Sequence, residues 1–179
     1  MFKSTKNYTH EQGLSCCFRQ WKADHSHCSL LHGYAIGVKI TFANPNLDER
    51  NWVMDFGGLG AVKDFLKNVF DHKMLVAKDD PLLDVFKELA EKHNAAHVVV
   101  VDAVGCEAFA FLIYAKVNDM LRGGTTKVES VEVMEHAGNS AIYAPGITSF
   151  EANPTDDGPV KEPEQVKPTR KPRAKKATK

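Results

Sequence analysis

The chain has 179 residues, 43% of them apolar, and its 23 basic and 23 acidic side chains cancel. That length gives room for one well-cored domain and excludes two large ones. No stretch reaches the roughly 18 apolar residues of a membrane-crossing helix, and the N-terminus lacks an apolar run of signal-peptide type, so a cytoplasmic protein with no membrane contact is expected.

The predicted elements begin at residues 35–42, AIGVKITF, whose alternation reads as a half-buried strand. Asn44-Pro45-Asn46 marks a turn, and Trp52-Val53-Met54 suggests a returning strand. Leu59, Val62, Phe65, Leu66, Val69 and Phe70 share one face of a helix over 59–70. A second helix runs from Pro81, at a favourable first-turn position, to about His93. Val98 to Val101 form a short buried strand, and a helix over 106–121 stops at Gly123-Gly124. Strands follow at 127–135 and 140–144. The order is ββα…αββ, with open sheet edges that one protomer of this size cannot close.

From about Glu151 the composition changes. Five of the eight prolines lie there, large apolar residues almost vanish, and Gln165 to Lys179 carry seven basic side chains and no acid. Such a segment cannot offset its ordering entropy by burial, so 151–179 is expected to be a disordered tail on a domain spanning 1–150. Its clustered charges suit either a solubilising tail or a nucleic-acid contact through residues 165–179. Without those charges the body is acidic.

Chemistry-bearing residues cluster in four places. Asp24 to Tyr34 read DHSHCSLLHGY, with His25, His27, Cys28 and His32 within nine positions. Such side chains suit zinc, although no second pair completes a finger pattern. Asp71-His72 can form a carboxylate-oriented imidazole at a helix end. Glu107 opens the third helix, where an acid also suits the helix dipole. Glu135 ends the alternating strand VEVME and could grip an amino-pyrimidinone ring. Of the four cysteines, Cys16 and Cys17 are adjacent, which argues against a disulfide framework, and Cys106 reads as a small buried hydrophobe.

In order, these clusters resemble one family. Cys28-Ser-Leu-Leu-His32-Gly33-Tyr34 is similar to the C-x-x-x-H-G-H of 6-carboxytetrahydropterin synthases, relatives of 6-pyruvoyl-tetrahydropterin synthase. Val53 to Leu59 resemble its hydrophobic-D-F-x-x-L, Asp71 to Leu75 its D-H-x-x-L, and Gly105-Cys106-Glu107 its P-T-[SA]-E. Ala141-Ile142-Tyr143 suits its closing strand, so the likeness covers about residues 10–145.

The resemblance implies an α+β tunnelling fold (T-fold), an antiparallel sheet with helices packed on one face, assembling as a homo-oligomer, trimer or hexamer, with its site between subunits. It implies a lyase acting on dihydroneopterin triphosphate to give 6-carboxytetrahydropterin, a precursor of deazaguanine bases such as queuosine. Cys28 would be the general base, assisted by Asp71 and His72, and Glu107 and Glu135 would bind the pterin. Three histidines of the family hold zinc, which polarises oxygens of the substrate's side chain.

The departures fall on the metal. Where the family has F-S-A-A-H-R this chain has Leu14-Ser15-Cys16-Cys17-Phe18-Arg19, and Tyr34 replaces the last histidine of H-G-H. Only His32 survives, with Cys17, His25 and His27 as candidate substitutes, so weak or no zinc is expected. Two alternatives stand beside the lyase: a catalytically inactive pterin-binding or assembly protein on the same fold, and a nucleic-acid-associated accessory protein acting through its tail.

Overall fold

The structure is a computed structural model that describes residues 1–147 and 160–169. In chain order its elements are β1 (Phe2–Tyr8), β2 (Leu14–Phe18), β3 (His32–Asn44), α1 (Gly60–Phe70), β4 (Lys73–Ala77), α2 (Leu83–Glu91), β5 (Val98–Val101), α3 (Cys106–Met120), β6 (Lys127–His136), β7 (Asn139–Tyr143) and β8 (Glu164–Gln165). The expected strand at 35–42 and the three helices are present with shifted ends. Trp52-Val53-Met54 is loop instead. There Asp48 Oδ1 accepts the N–H groups of Arg50 and Trp52, both at 2.8 Å, and this local side-chain bonding takes amides a ladder would need.

β3 carries the sheet. Its first half pairs with β2, and its second half pairs with β1 on the same edge and with β6 on the other. The strand order is β7-β6-β3-β2-β4-β5-β8. The sheet is mixed rather than antiparallel throughout, because β2–β4 and β4–β5 are parallel. A parallel pair needs a crossover, and α2 supplies it between β4 and β5.

The helices also divide. Val62, Phe65, Leu66, Val69 and Phe70 of α1 join Phe109, Ile113 and Val117 of α3 in one core with Ile36, Val38, Ile40 and Phe42 of β3. Phe86 and Ala90 of α2 form a second cluster with Val76 and Val98, while Leu75, Val99 and Val101 belong to the first. β4 and β5 are therefore covered on both faces, which is why their sequences run apolar without alternation. The expectation of helices on one face holds for α1 and α3 and fails for α2. No helix of the described residues is long and apolar enough to cross a membrane.

Residues 160–169 depart from the expectation of a wholly disordered tail. β8 pairs with Val99 and Val100 of β5, and Val166 N–H donates to Val98 O at 3.0 Å. Asp119 Oδ2 accepts Val160 N–H at 3.0 Å, and Gln165 Nε2 donates to Asn68 O at 2.8 Å. An open edge strand offers unpaired backbone groups, and a polar segment can satisfy them even with few apolar side chains, Val160 and Val166 among them, to bury. Residues 151–159 and the basic run 170–179 lie outside the described residues. Ending the chain at residue 147 should lower the melting temperature by about 4–8 °C, from roughly 2 kcal/mol of lost burial and hydrogen bonding. Ending it at residue 169 should leave the melting temperature unchanged, as differential scanning fluorimetry would show.

Candidate active site

The β2–β3 register decides what the site contains. Phe18 lies opposite His32, Cys17 opposite Gly33, and Cys16 opposite Tyr34. Paired residues share a face and faces alternate along a strand. Phe18, His32 and Tyr34 thus face α3, and Cys17 and Gly33 face the other side. The strands run close at this point: a Cβ on Gly33 would sit 2.8 Å from Cys16 O and 3.3 Å from Cys17 Cβ, so only glycine is accommodated.

Phe18 is fully buried. Its ring lies 5.0 Å from that of His32, 6.2 Å from Tyr34 and 5.1 Å, edge-on, from Phe109. His32 and Tyr34 meet at right angles, 5.6 Å apart. His32 Nδ1 is 2.7 Å from Leu30 O. A carbonyl only accepts, so Nδ1 carries the hydrogen and Nε2 of the neutral ring keeps its lone pair.

Two more elements close on this cluster. On β6, Val133 pairs with Val38 on the core face, and Glu135, two residues on, returns to that face. A bulge between Met134 and His136 re-aims it. The first turn of α3 brings Cys106 and Glu107. Gly105 before it has φ 115°, and a Cβ there would lie 2.7 Å from Gln20 Nε2, so the amide of Gln20 packs where a side chain would stand. Burial, then the charges of Glu135 and Glu107, push the Cys106 thiol up to about 12, which keeps it protonated at neutral pH. Burial, then the charges of Glu135, Cys28 and Cys106, also raise the Tyr34 phenol. Glu107 itself is exposed.

The loop from Arg19 to Leu31 supplies Cys28, half-buried in a short 3-10 turn. Ser26 Oγ accepts Cys28 N–H at 3.2 Å, and Cys28 O accepts Gln20 N–H at 2.7 Å. Arg19 clamps the loop to the body: its Nε and Nη2 donate to Asp80 at 2.9 and 2.7 Å, and Nη1 to Ser29 O at 3.4 Å.

Asp71 and His72 stand apart from this cluster. Asp71 caps α1, and its Oδ1 lies 2.6 Å from His72 Nδ1. His72 adopts φ 55°, an unusual conformation for a side-chain-bearing residue, with its N–H bonded to Ser15 O at 2.7 Å. It lines a groove of about 480 Å³ together with Cys17, Gly33, Met74 and His97, on the sheet face away from Phe18 and His32. No hydrogen bond or ion pair among the described residues joins it to Cys28.

The residues at the family's metal position do not suit zinc. Phe18 offers only carbon, and Tyr34 is a neutral phenol. β2 pairs with Cys17 opposite Gly33, so Cys17 points into the opposite groove and is no substitute ligand. His25 and His27 are exposed on the loop, His25 beside Asp24. Among the described residues no three histidine, cysteine or carboxylate groups converge on a point that could hold a metal ion. Gln20 and the place of Cys106 beside Glu135 went unread in the sequence. Tyr34 was legible there only as a lost ligand, although the two-residue spacing from His32 puts it on the same face.

Residues 7–146 match the profile of the 6-pyruvoyl tetrahydropterin synthase family, and the chain belongs to that family. Over 122 residues it is 30% identical to the 6-carboxy-5,6,7,8-tetrahydropterin synthase of Aquifex aeolicus, covering 65% of this chain and 75% of the relative. Over 110 residues it is 34% identical to a probable enzyme of that name from Halobacterium salinarum, covering 60% and 67%. Among solved structures, an uncharacterized protein of Wolinella succinogenes superposes with a TM-score of 0.68 at 20% identity, over 80% of this chain and 98% of that one. The 6-pyruvoyl tetrahydropterin synthase of Plasmodium vivax gives 0.54 at 14%, over 82% and 100%. These two likenesses establish the T-fold.

Burial alone would raise Asp80, but hydrogen bonds from Arg19 and from Leu82 N–H outweigh it and hold the carboxyl below its usual range. A carboxylate depressed on folding stabilises above its unfolded value and loses that contribution as pH falls through the folded one. Asp80→Asn should therefore cost about 3–5 kcal/mol at neutral pH. The gap from the unsubstituted chain should narrow once the pH drops below about 3.9, the ordinary aspartate value, in thermal melts run from pH 7 to 3.

Proposed function

We propose that this protein is a lyase of the 6-carboxytetrahydropterin synthase type, taking dihydroneopterin triphosphate as its substrate. The observation that carries the reading is the grouping of Glu135, Cys28 and Cys106 about Tyr34, with Glu107 beside Cys106 in the first turn of α3. Glu135 can accept two N–H groups from the edge of an amino-pyrimidinone ring. Cys28, fixed through both its backbone groups, would serve as the base for protons of the ligand's side chain. The four free cysteines suit a reducing, cytoplasmic setting.

Asp71 and His72 belong to the same machinery in this reading, yet they sit in the groove on the other face. A second copy of the chain would bring its His72 to the Cys28 of the first, so we assign the working form as a homo-oligomer with sites between subunits. Mixing Cys28→Ala and His72→Ala chains, each inactive, should restore part of the activity after co-refolding. Activity that stays at zero, or a monomer by light scattering at micromolar concentration, would overturn this assignment.

A second reading, a pterin-binding protein without turnover, is favoured by one observation, the phenylalanine at the first ligand position. Turnover of dihydroneopterin triphosphate by the purified oligomer separates the two. Under both, Glu135→Gln should keep the fold and weaken pterin binding by about 2–3 kcal/mol, roughly 30- to 150-fold in Kd, by isothermal titration. The basic run 165–179 offers a separate contact for nucleic acid, to be registered as salt-dependent DNA binding that disappears when residues 170–179 are removed.

A further inference from the structure

The metal position holds a continuous wall of rings. Phe18 is fully buried between His32, Tyr34 and Phe109, and Phe109 continues the contact to Phe70 at 5.3 Å. A zinc ion needs three imidazoles or their equivalent within about 2.1 Å of one point; here the same volume is packed carbon. Two polar groups remain at the edge of the wall. The Tyr34 hydroxyl lies within electrostatic reach of Glu135, Cys28 and Cys106. His32 Nε2 keeps its lone pair because Nδ1 is committed to Leu30 O.

We propose that this chain holds its ligand without zinc, and that the Tyr34 hydroxyl, with His32 Nε2 beside it, takes over the contact with oxygens on the ligand's side chain. This rests on the pterin reading of the site above. The chemistry is balanced for hydroxylated side chains: a phenol both donates to and accepts from an oxygen, and a neutral imidazole nitrogen accepts from a hydroxyl. Phe18 does not touch the ligand in this arrangement. It fixes the tilt of His32 and Tyr34 from behind, as a positioning residue. The substitutions at positions 18 and 34 thus act as a pair: one removes a ligand and fills its space, and the other exchanges a metal ligand for a hydrogen-bonding hydroxyl.

The test has a metal arm and a ligand arm. The full-length protein is incubated with zinc, dialysed against chelator and assayed by elemental analysis, with well under one zinc per chain expected. Phe18→His combined with Tyr34→His rebuilds three imidazoles on one face with His32, and should retain one zinc per chain. Tyr34→His alone, which leaves Phe18 and the core intact, should retain none. Stoichiometric zinc in the unsubstituted protein, or a folded double variant that takes up none, overturns the metal half of the proposal.

For the ligand arm, neopterin, with its trihydroxylated side chain, is compared with unsubstituted pterin. Tyr34→Phe keeps the ring and its packing. It should weaken neopterin roughly five- to tenfold and leave pterin unchanged, with both affinities indifferent to chelator. Equal effects on the two probes, or neopterin binding that chelator abolishes, overturns the role of Tyr34. If the unsubstituted protein binds neither probe, the pterin reading falls and takes the Tyr34 role with it, while the zinc measurements still decide the metal half.

Discussion

The register of β2 against β3 is the constraint on which the site depends. With Phe18 opposite His32 and Cys17 opposite Gly33, every side chain of β2 and of the first part of β3 is assigned to a face. A slip of one residue would exchange the faces, exposing Phe18 and turning Cys17 inward. Gly33 holds the register by allowing the backbone of Cys16 to approach where any Cβ would collide. Phe18 holds it from the other side, since its burial against Phe109 would be lost in any other pairing.

The rest of the site is arranged around that pair by devices of different kinds. The loop bearing Cys28 leaves Leu30 and Leu31 exposed and buries little of its apolar surface, and a buried charge pair fastens it. Such a pair contributes little against a well-packed apolar alternative, but breaking one partner is costly. Arg19 and Asp80 therefore act as a latch: bidentate, shielded from water, with the guanidinium 5.9 Å above the Phe86 ring. Glu135 is placed differently, by a strand bulge, with the thiol of Cys106 beside it. A thiol pushed so high by its surroundings stays protonated, and an uncharged donor suits a carboxylate neighbour.

The C-terminal segment shows how far composition can mislead over a short length. Residues 160–169 are as polar as their neighbours, yet they meet the open edge of β5, where the demand is for backbone partners and few apolar side chains, Val160 and Val166 among them, have to be covered. Edge pairing of that kind asks little of side chains.

What the sequence determined by itself was whatever repeats with a local period or occurs as an ordered motif. The apolar face of α1, the valine run of β5, the alternation around Glu135 and the family of the fold could all be read from neighbouring residues. β1 and β4 could not, because one is mostly polar and both take their strand state from partners far along the chain. Nor could the sequence place α2 on the opposite face or separate Asp71-His72 from Cys28, since both follow from the crossover between β4 and β5 and from the turn after α1. The loss of two zinc ligands was legible at positions 18 and 34. That the gap is closed by tilted and edge-on rings, with Tyr34 near Glu135 and Cys28, was decided only when strands, helix and loop met in three dimensions, because ring packing depends on distance and tilt that no spacing encodes.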